Sequence, residues 1–186
     1  MLQVLQHLGF ATTSDEAKNE VLQELNGYTN SDLKTFEHLL CAMGAEQYDP
    51  KNLQKIQNFS NDVFHFDFEA IEGPGAYIRI LNNCARLSKG YLDLTEVKDT
   101  VDVADSMASV NFMNDGKREN WDLKVNDDWA DPQVFVKLND ILDRRKSTSW
   151  FYKHDLAQDC LIAFLSRKKS REINSKTGLN FWEFRN

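Results

Sequence analysis

SVNFMNDGKRENWDLKVNDDWADP, residues 109–132, holds the turn and the helix start from which the second half of the chain is read. Asn114-Asp115-Gly116-Lys117 separates two strand-like runs, Met107 to Met113 and Glu119 to Val125. Asp-Gly between such runs predicts a β-hairpin, because both central residues of a tight turn tolerate positive φ. Asp131-Pro132 predicts a helix start. The carboxylate can accept from the free amides of the first turn, and proline has a helical φ and no N–H to leave unsatisfied. The helix that follows carries Val134, Phe135, Leu138, Ile141 and Leu142 on one face, with Arg144, Arg145 and Lys146 at the negative end of its dipole.

Downstream, Trp150 to Asp155 and Cys160 to Leu165 read as strands about a turn at Ala157-Gln158. Ser166 caps a basic helix to Lys176 that Gly178 ends, and Leu179 to Phe184 reads as a last strand. A further strand is expected within Leu92 to Val101, where the alternation is partial. The second half, 91–186, thus reads β-β-β-α-β-β-α-β, an α+β arrangement with helices on one face of a mostly antiparallel sheet.

Upstream, 1–90 reads as mainly helical. Leu2, Leu5 and Leu8 mark a short helix ending at Gly9, and Thr13 to Glu16 suits a capping box before Val21, Leu22 and Leu25. Asn30 or Ser31 can cap a helix through Leu33, Phe36, Leu39, Leu40 and Met43 that stops at Gly44, and Asp49-Pro50 opens one through Leu53 and Ile56. The one strand expected here is 62–69, where Phe64, Phe66 and Phe68 alternate with His65, Asp67 and Glu69. After Gly73-Pro74-Gly75 a helix over 76–88 buries Tyr77, Ile80, Leu81, Cys84 and Leu87. A domain boundary near residue 90 is expected, unless this helix docks on the sheet and makes the halves one unit.

A chain of 186 residues buries enough surface to fold without disulfides or metal. Cys41, Cys84 and Cys160 are an odd number in apolar runs, read as buried free thiols of a reducing, cytoplasmic compartment. MLQVLQHLGF lacks the basic and long apolar regions of a signal peptide, and no apolar run is long enough to span a membrane.

The net charge of −7 disfavours nucleic acid or an anionic membrane as partner and favours a basic one. It is unevenly spread. Tyr91 to Asp131 holds eleven acids and four bases, whereas Asp143 to Arg171 holds three acids and eight bases. Carboxylates gathered on one face would steer a basic partner and speed its association.

Each compact cluster has a bland reading beside a chemical one. Asp127, Asp128 and Asp131 could hold a hard cation, yet they lack the glycine and terminal glutamate of an EF-hand loop and serve equally as turn and cap ligands. Trp129 among them is either a lid over the core or an exposed anchor. His65, Asp67 and Glu69 could do acid–base or metal chemistry, or form the wet face of a strand. His154, Asp155, Asp159 and Cys160 lack an orienting partner for nucleophilic work, and Arg167, Lys168, Lys169 and Arg171 suit a solvated helix face. There is no glycine-rich phosphate loop, paired-cysteine zinc spacing or nucleophile elbow.

VNDDWADP at Val125–Pro132, QDCLIAF at Gln158–Phe164 and TGLNF at Thr177–Phe181 resemble segments of immunity proteins from bacterial polymorphic-toxin and contact-dependent growth inhibition systems. The resemblance covers about 91–184. It implies a non-enzymatic protein without cofactors that binds one secreted toxin domain and blocks it. Many such toxins are basic nucleases, which an acidic surface complements. The partner-binding residues expected are Asp115, Glu119, Asp122, Asp127, Asp128 and Trp129. The alternatives are a hydrolase using His65, Asp67 and Glu69 or the 127–131 carboxylates, and a non-catalytic adaptor that binds through the helical half.

Overall fold

The computed structural model describes residues 1–27, 35–48, 51 and 55–185. In chain order the elements are α1 (Leu2–His7), α2 (Asp15–Gly27), α3 (Phe36–Gly44), β1 (Glu46–Tyr48), β2 (Lys55–Asn58), β3 (Phe64–Asp67), α4 (Ala76–Leu87), β4 (Leu94–Asp102), β5 (Met107–Asn114), β6 (Lys117–Asn126), β7 (Trp129–Ala130), α5 (Gln133–Arg144), β8 (Trp150–Leu156), β9 (Asp159–Leu165), α6 (Arg167–Thr177) and β10 (Trp182–Glu183). The protein is α+β, with a β1-β2 pair and two four-stranded sheets ordered β10-β8-β9-β3 and β4-β5-β6-β7. The chain forms two compact units, one of Met1–Phe66 with Tyr152–Trp182 and one of Asp67–Phe151 with Glu183–Asn186. Residue 90 lies inside the second unit, where α4 packs on β4.

In the first unit, α1 ends as expected at Gly9, whose φ of +85° favours a residue without Cβ. The cap of α2 is Ser14 and not Thr13: the Ser14 hydroxyl accepts from the Ala17 amide at 3.1 Å. Thr13 is drawn away to the backbone of 58–59, its N–H bonding the Phe59 carbonyl at 2.8 Å and its hydroxyl the Asn58 carbonyl at 2.9 Å. Thr35 caps α3 by accepting from the His38 amide. The expected caps Asn30 and Ser31, and with them Leu33, lie outside the described residues.

Gly44 is more than a stop signal. A Cβ there would stand 2.5 Å from the His65 backbone nitrogen, so only glycine lets α3 lie this close to β3. The helix expected through Leu53 and Ile56 is replaced at its described end by β2. Pairing with β1, in the register Glu46↔Asn58 and Gln47↔Gln57, overrides the local helix signal; Asp49, Pro50 and Leu53 lie outside the described residues. In β3, Phe64 and Phe66 are buried while His65 and Asp67 are partly exposed, the period expected of a strand with one buried face. The β8-β9 turn falls at Ala157-Gln158, with Ala157 at a φ of +67°. Ser166 caps α6 and Gly178 closes it in the left-handed region. The last strand is shorter than its aromatic pattern suggests. The Asn174 side chain holds both the N–H (2.8 Å) and C=O (3.0 Å) of Phe181, so this residue is tied to α6 instead of a strand ladder.

In the second unit the β5-β6 hairpin turns at Asp115 (φ +49°) and Gly116 (φ +73°), as Asp-Gly requires, and pairs Asn114 with Lys117. That register buries Ala108, Val110 and Phe112 with Trp121, Leu123 and Val125, and Phe112 meets Trp121 edge to face at 4.8 Å between centroids. The partial alternation of β4 is explained by an irregularity between Thr95 and Lys98, where Glu96 takes a φ of +51°. β7, absent from the sequence reading, is a two-residue strand paired as Val125↔Ala130 and Asn126↔Trp129. Its backbone is also held by Phe68 and Ile71: the Ala130 N–H reaches the Phe68 carbonyl and the Ile71 N–H reaches the Asp128 carbonyl.

The helix α4 has no local side-chain cap, since its N-cap residue is Gly75. Its free amides are met from the sheet: the Asp99 carboxylate on β4 accepts from Gly75 (2.8 and 2.9 Å), Tyr77 (3.0 Å) and Ile78 (3.2 Å). A carboxylate at a helix N-terminus satisfies orphan donors and opposes the positive end of the dipole. Asp99→Ala is expected to destabilise the protein by about 1–2 kcal/mol, the loss typical of an N-cap. Denaturant unfolding measures this, and an unchanged midpoint would remove Asp99 from the fold's supports.

Candidate functional site

The second sheet has two ends of opposite electrostatic character. At the β5-β6 turn the carboxylates are paired within the chain. Arg145 meets Asp115 at 3.1 Å and Arg144 meets Glu119 at 3.1 Å, both arginines coming from the C-terminal end of α5. Glu119 shares the inward parity of Trp121 and Leu123, and its second oxygen accepts from the Trp121 indole N–H. Nearby, Arg118 pairs with Glu96 at 2.5 Å. The basic segment of the sequence thus neutralises part of the acidic one.

At the other end two turns lie side by side, 103–106 between β4 and β5 and 127–128 between β6 and β7, joined by the Val125 N–H on the Ser106 carbonyl. Asp102, Asp105, Asp122, Asp127 and Asp128 gather here, and none forms an ion pair with a described residue. Asp102 does accept the Asp105 amide at 3.1 Å, which shapes the turn. Lys124 is the cation among them, opposite Met107 in the ladder. Asp127 sits at a φ of +58°, and this turn leaves Asn126 to Trp129 exposed. Trp129 is 37% exposed and its indole N–H has no partner among the described residues, so the lid reading gives way to an exposed aromatic. Met107 is 63% exposed, and beside it lies a depression of about 660 Å³ bordered by Asp102 and Asp122.

The six expected binding residues therefore divide. Asp122, Asp127, Asp128 and Trp129 belong to the unpaired end, whereas Asp115 and Glu119 are engaged by α5 at the opposite one. One continuous acidic face across the hairpin is not formed, because residues of opposite parity on β6 point to opposite sides of the sheet. Asp102, Asp105 and Met107 were not singled out from the sequence. The signal for Met107 was present in its parity with Ser109 and Asn111 against the buried Ala108, Val110 and Phe112. For the two aspartates only the pairing of β4 supplies the location.

Behind this end stands Tyr77, fully buried on α4. Its hydroxyl donates to the Lys124 carbonyl at 3.0 Å and accepts from the Asp131 N–H at 2.9 Å. Asp131 in turn accepts from the amides of Lys124 and Gln133, both at 2.9 Å, which bears out its role at the start of α5. Burial, helped by the Asp131 carboxylate, pushes the Tyr77 hydroxyl up to about 12.

The other sequence candidates do not assemble. His65 faces Asp159 at 3.0 Å, while Asp67 accepts the Glu69 amide and Glu69 lies beyond the end of β3. His154 meets Glu37 at 3.1 Å, Asp155 meets Lys153, and Cys160 is fully buried. On α6, Lys169 pairs with Glu172. Among the described residues no three His, Cys, Asp or Glu side chains are placed to hold a metal ion. None of the described helices is long and apolar enough to cross a membrane. The chain matches no family model, no curated protein and no solved structure.

Cys41 is partly exposed rather than buried. Partial burial, with Glu37 and Asp159 nearby, still pushes its thiol up to about 12, and burial raises Cys84 further. The folded protein is expected to react slowly with a thiol reagent at pH 8 and the unfolded chain to release all three cysteines; rapid native labelling of Cys41 contradicts this. In an alkaline absorbance titration, one of the five tyrosines is expected to ionise near pH 12. Since the folded hydroxyl titrates above the unfolded value of about 10, its stabilising share persists below pH ~10 and is lost as pH rises towards 12. Tyr77→Phe removes both the late step and that share.

Proposed function

We propose that this chain is a cytoplasmic immunity protein that binds a cognate bacterial toxin domain, basic in charge, and neutralises it without catalysis. The observation that carries the reading is the unpaired end of the second sheet, where five aspartates lie beside exposed Trp129 and Met107. Charges satisfied within a chain contribute little to an outside partner. Charges left open attract and orient one. A large exposed aromatic with a free N–H offers the apolar contact and hydrogen bond common at interface anchors. The resemblance of VNDDWADP to segments of immunity proteins falls on this same turn. A basic nuclease as the toxin fits the charge.

Co-expression with the product of the neighbouring gene tests the reading, the expected outcome being a complex that purifies intact and lacks toxin activity. Asp105→Lys combined with Asp128→Lys is expected to slow association at least about tenfold at low ionic strength. The difference should fade towards 1 M salt, where the screening length is about 3 Å. Absence of a complex, or an association rate indifferent to salt, refutes the proposal.

A further inference from the structure

At the turn end of the β5-β6 hairpin one buried polar side chain is left unsatisfied. Asn114, the last residue of β5, shares the inward face of Ala108, Val110 and Phe112 and is 6% exposed. Its Oδ1 is buried without a hydrogen-bond partner among the described residues. A buried acceptor that lacks a donor is costly, so the position calls for one. Asn114 lines a cavity of about 160 Å³ between the end of the hairpin and the last turn of α5, where Ile141 supplies the apolar wall. Lys117 also lines it, directly opposite Asn114 in the ladder and therefore on the same face, and forms no ion pair with a described residue. Arg144 and Arg145 border the cavity but are already held, by Glu119 and Asp115, and Arg145 donates to the Tyr91 carbonyl as well. The three bases and two acids around the cavity therefore leave a charge of +1, carried by Lys117.

Two other asparagines of this chain show what such an amide takes. Asn174 accepts from the Phe181 N–H at 2.8 Å and donates to its carbonyl at 3.0 Å. Asn139 accepts from the Phe151 N–H at 2.8 Å and donates to its carbonyl at 3.1 Å. In both, the side chain grips the backbone of a residue outside its own helix. No described segment of the chain takes that position at Asn114. Lys117 adds the demand for one negative charge beside the amide. The last residue of a peptide carries both complements on a single Cα, a backbone N–H and a carboxylate. We propose that this cavity captures the C-terminal residue of a peptide chain, with Asn114 Oδ1 accepting its N–H and Lys117 donating to its carboxylate. The cavity is smaller than the roughly 300–1,000 Å³ of pockets for drug-sized ligands, so one small residue enters and the rest of the peptide leaves along the surface. Acetate brings no donor for Asn114, and a C-terminal amide brings no charge for Lys117. The site lies at the opposite end of the hairpin from the open aspartates, so it stands or falls apart from the immunity reading.

The test uses the full chain labelled with ¹⁵N and follows the sequentially assigned backbone amides of residues 114–117. Acetyl-Gly-Gly-Gly with a free carboxylate, the same peptide as its C-terminal amide, N-acetylglycine and sodium acetate are titrated separately at fixed ionic strength. The expected result is a saturable shift for acetyl-Gly-Gly-Gly with a dissociation constant of millimolar order, as suits so small a contact. The peptide amide and acetate are expected to bind on the order of tenfold more weakly or not at all. Lys117→Gln, at an exposed position, is expected to weaken the acid on the order of tenfold while leaving the rest of the spectrum in place, and Asn114→Ala to weaken it as much. Should Asn114→Ala fail to fold, Lys117→Gln and the acid-against-amide comparison decide the matter. The absence of a saturable shift, equal binding of acid and amide, binding of acetate as tight as that of the peptide, or an affinity undiminished in Lys117→Gln overturns the proposal. Binding of N-acetylglycine without binding of acetyl-Gly-Gly-Gly also overturns it, since the cavity would then hold a small acyl amino acid and not a peptide end.

Discussion

The register of β5 against β6 is the constraint on which the second unit depends. Side chains alternate across a strand, so a slip of one residue would exchange Trp121, Leu123 and Val125 for Asp122, Lys124 and Asn126 on the buried side. The two-residue turn at Asp115-Gly116 prevents that slip, because its positive φ values are open to few other residue pairs. From this register follow the contact of Phe112 with Trp121, the inward turn of Glu119, and the outward row of Thr100, Ser109 and Asp122. The acidic end and its neighbouring depression are therefore consequences of turn chemistry at the opposite end of the hairpin.

Electrostatically, the fold converts a segregated sequence into a sorted surface. The acids of 91–131 and the bases after Asp143 lie apart along the chain, yet α5 delivers Arg144 and Arg145 to Glu119 and Asp115. Exposed pairs of this kind stabilise little, by about 1 kcal/mol or less each. Their larger effect is to leave the remaining carboxylates, from Asp102 to Asp128, as an unneutralised group at the far end. Which acids remain open is decided by the reach of one helix terminus.

Asp99, Tyr77 and Asn139 satisfy polar groups of the second unit over long sequence distances. Asp99 caps a helix that begins more than twenty residues earlier, Tyr77 joins α4 to β6 and Asp131, and buried Asn139 holds the backbones of Phe151 and Phe184 at 2.8–3.1 Å. A buried donor or acceptor without a partner costs about 1–3 kcal/mol, so these side chains hold separate segments in one arrangement. In the first unit, Gly44 does comparable work by absence, allowing a helix end to approach a strand backbone.

The sequence by itself determined the α+β class, the Asp-Gly hairpin, the starts of α5 and α6, and the buried faces of α4 and α5, because each rests on residues close in the chain. It located Asp122, Asp127, Asp128 and Trp129 as acids and an aromatic in excess of what turns and caps require. Tertiary structure decided what depends on distant partners: a β1-β2 pair in place of a helix, Ser14 in place of Thr13, and Asn174 shortening the last strand. It also decided that Asp115 and Glu119 are engaged by arginines and that Met107 and Asp102 stand with the open acids. Local signals fix conformation through φ preference and periodicity. Ion pairing and exposure depend on which surfaces the completed fold brings together, and a linear pattern does not carry that information.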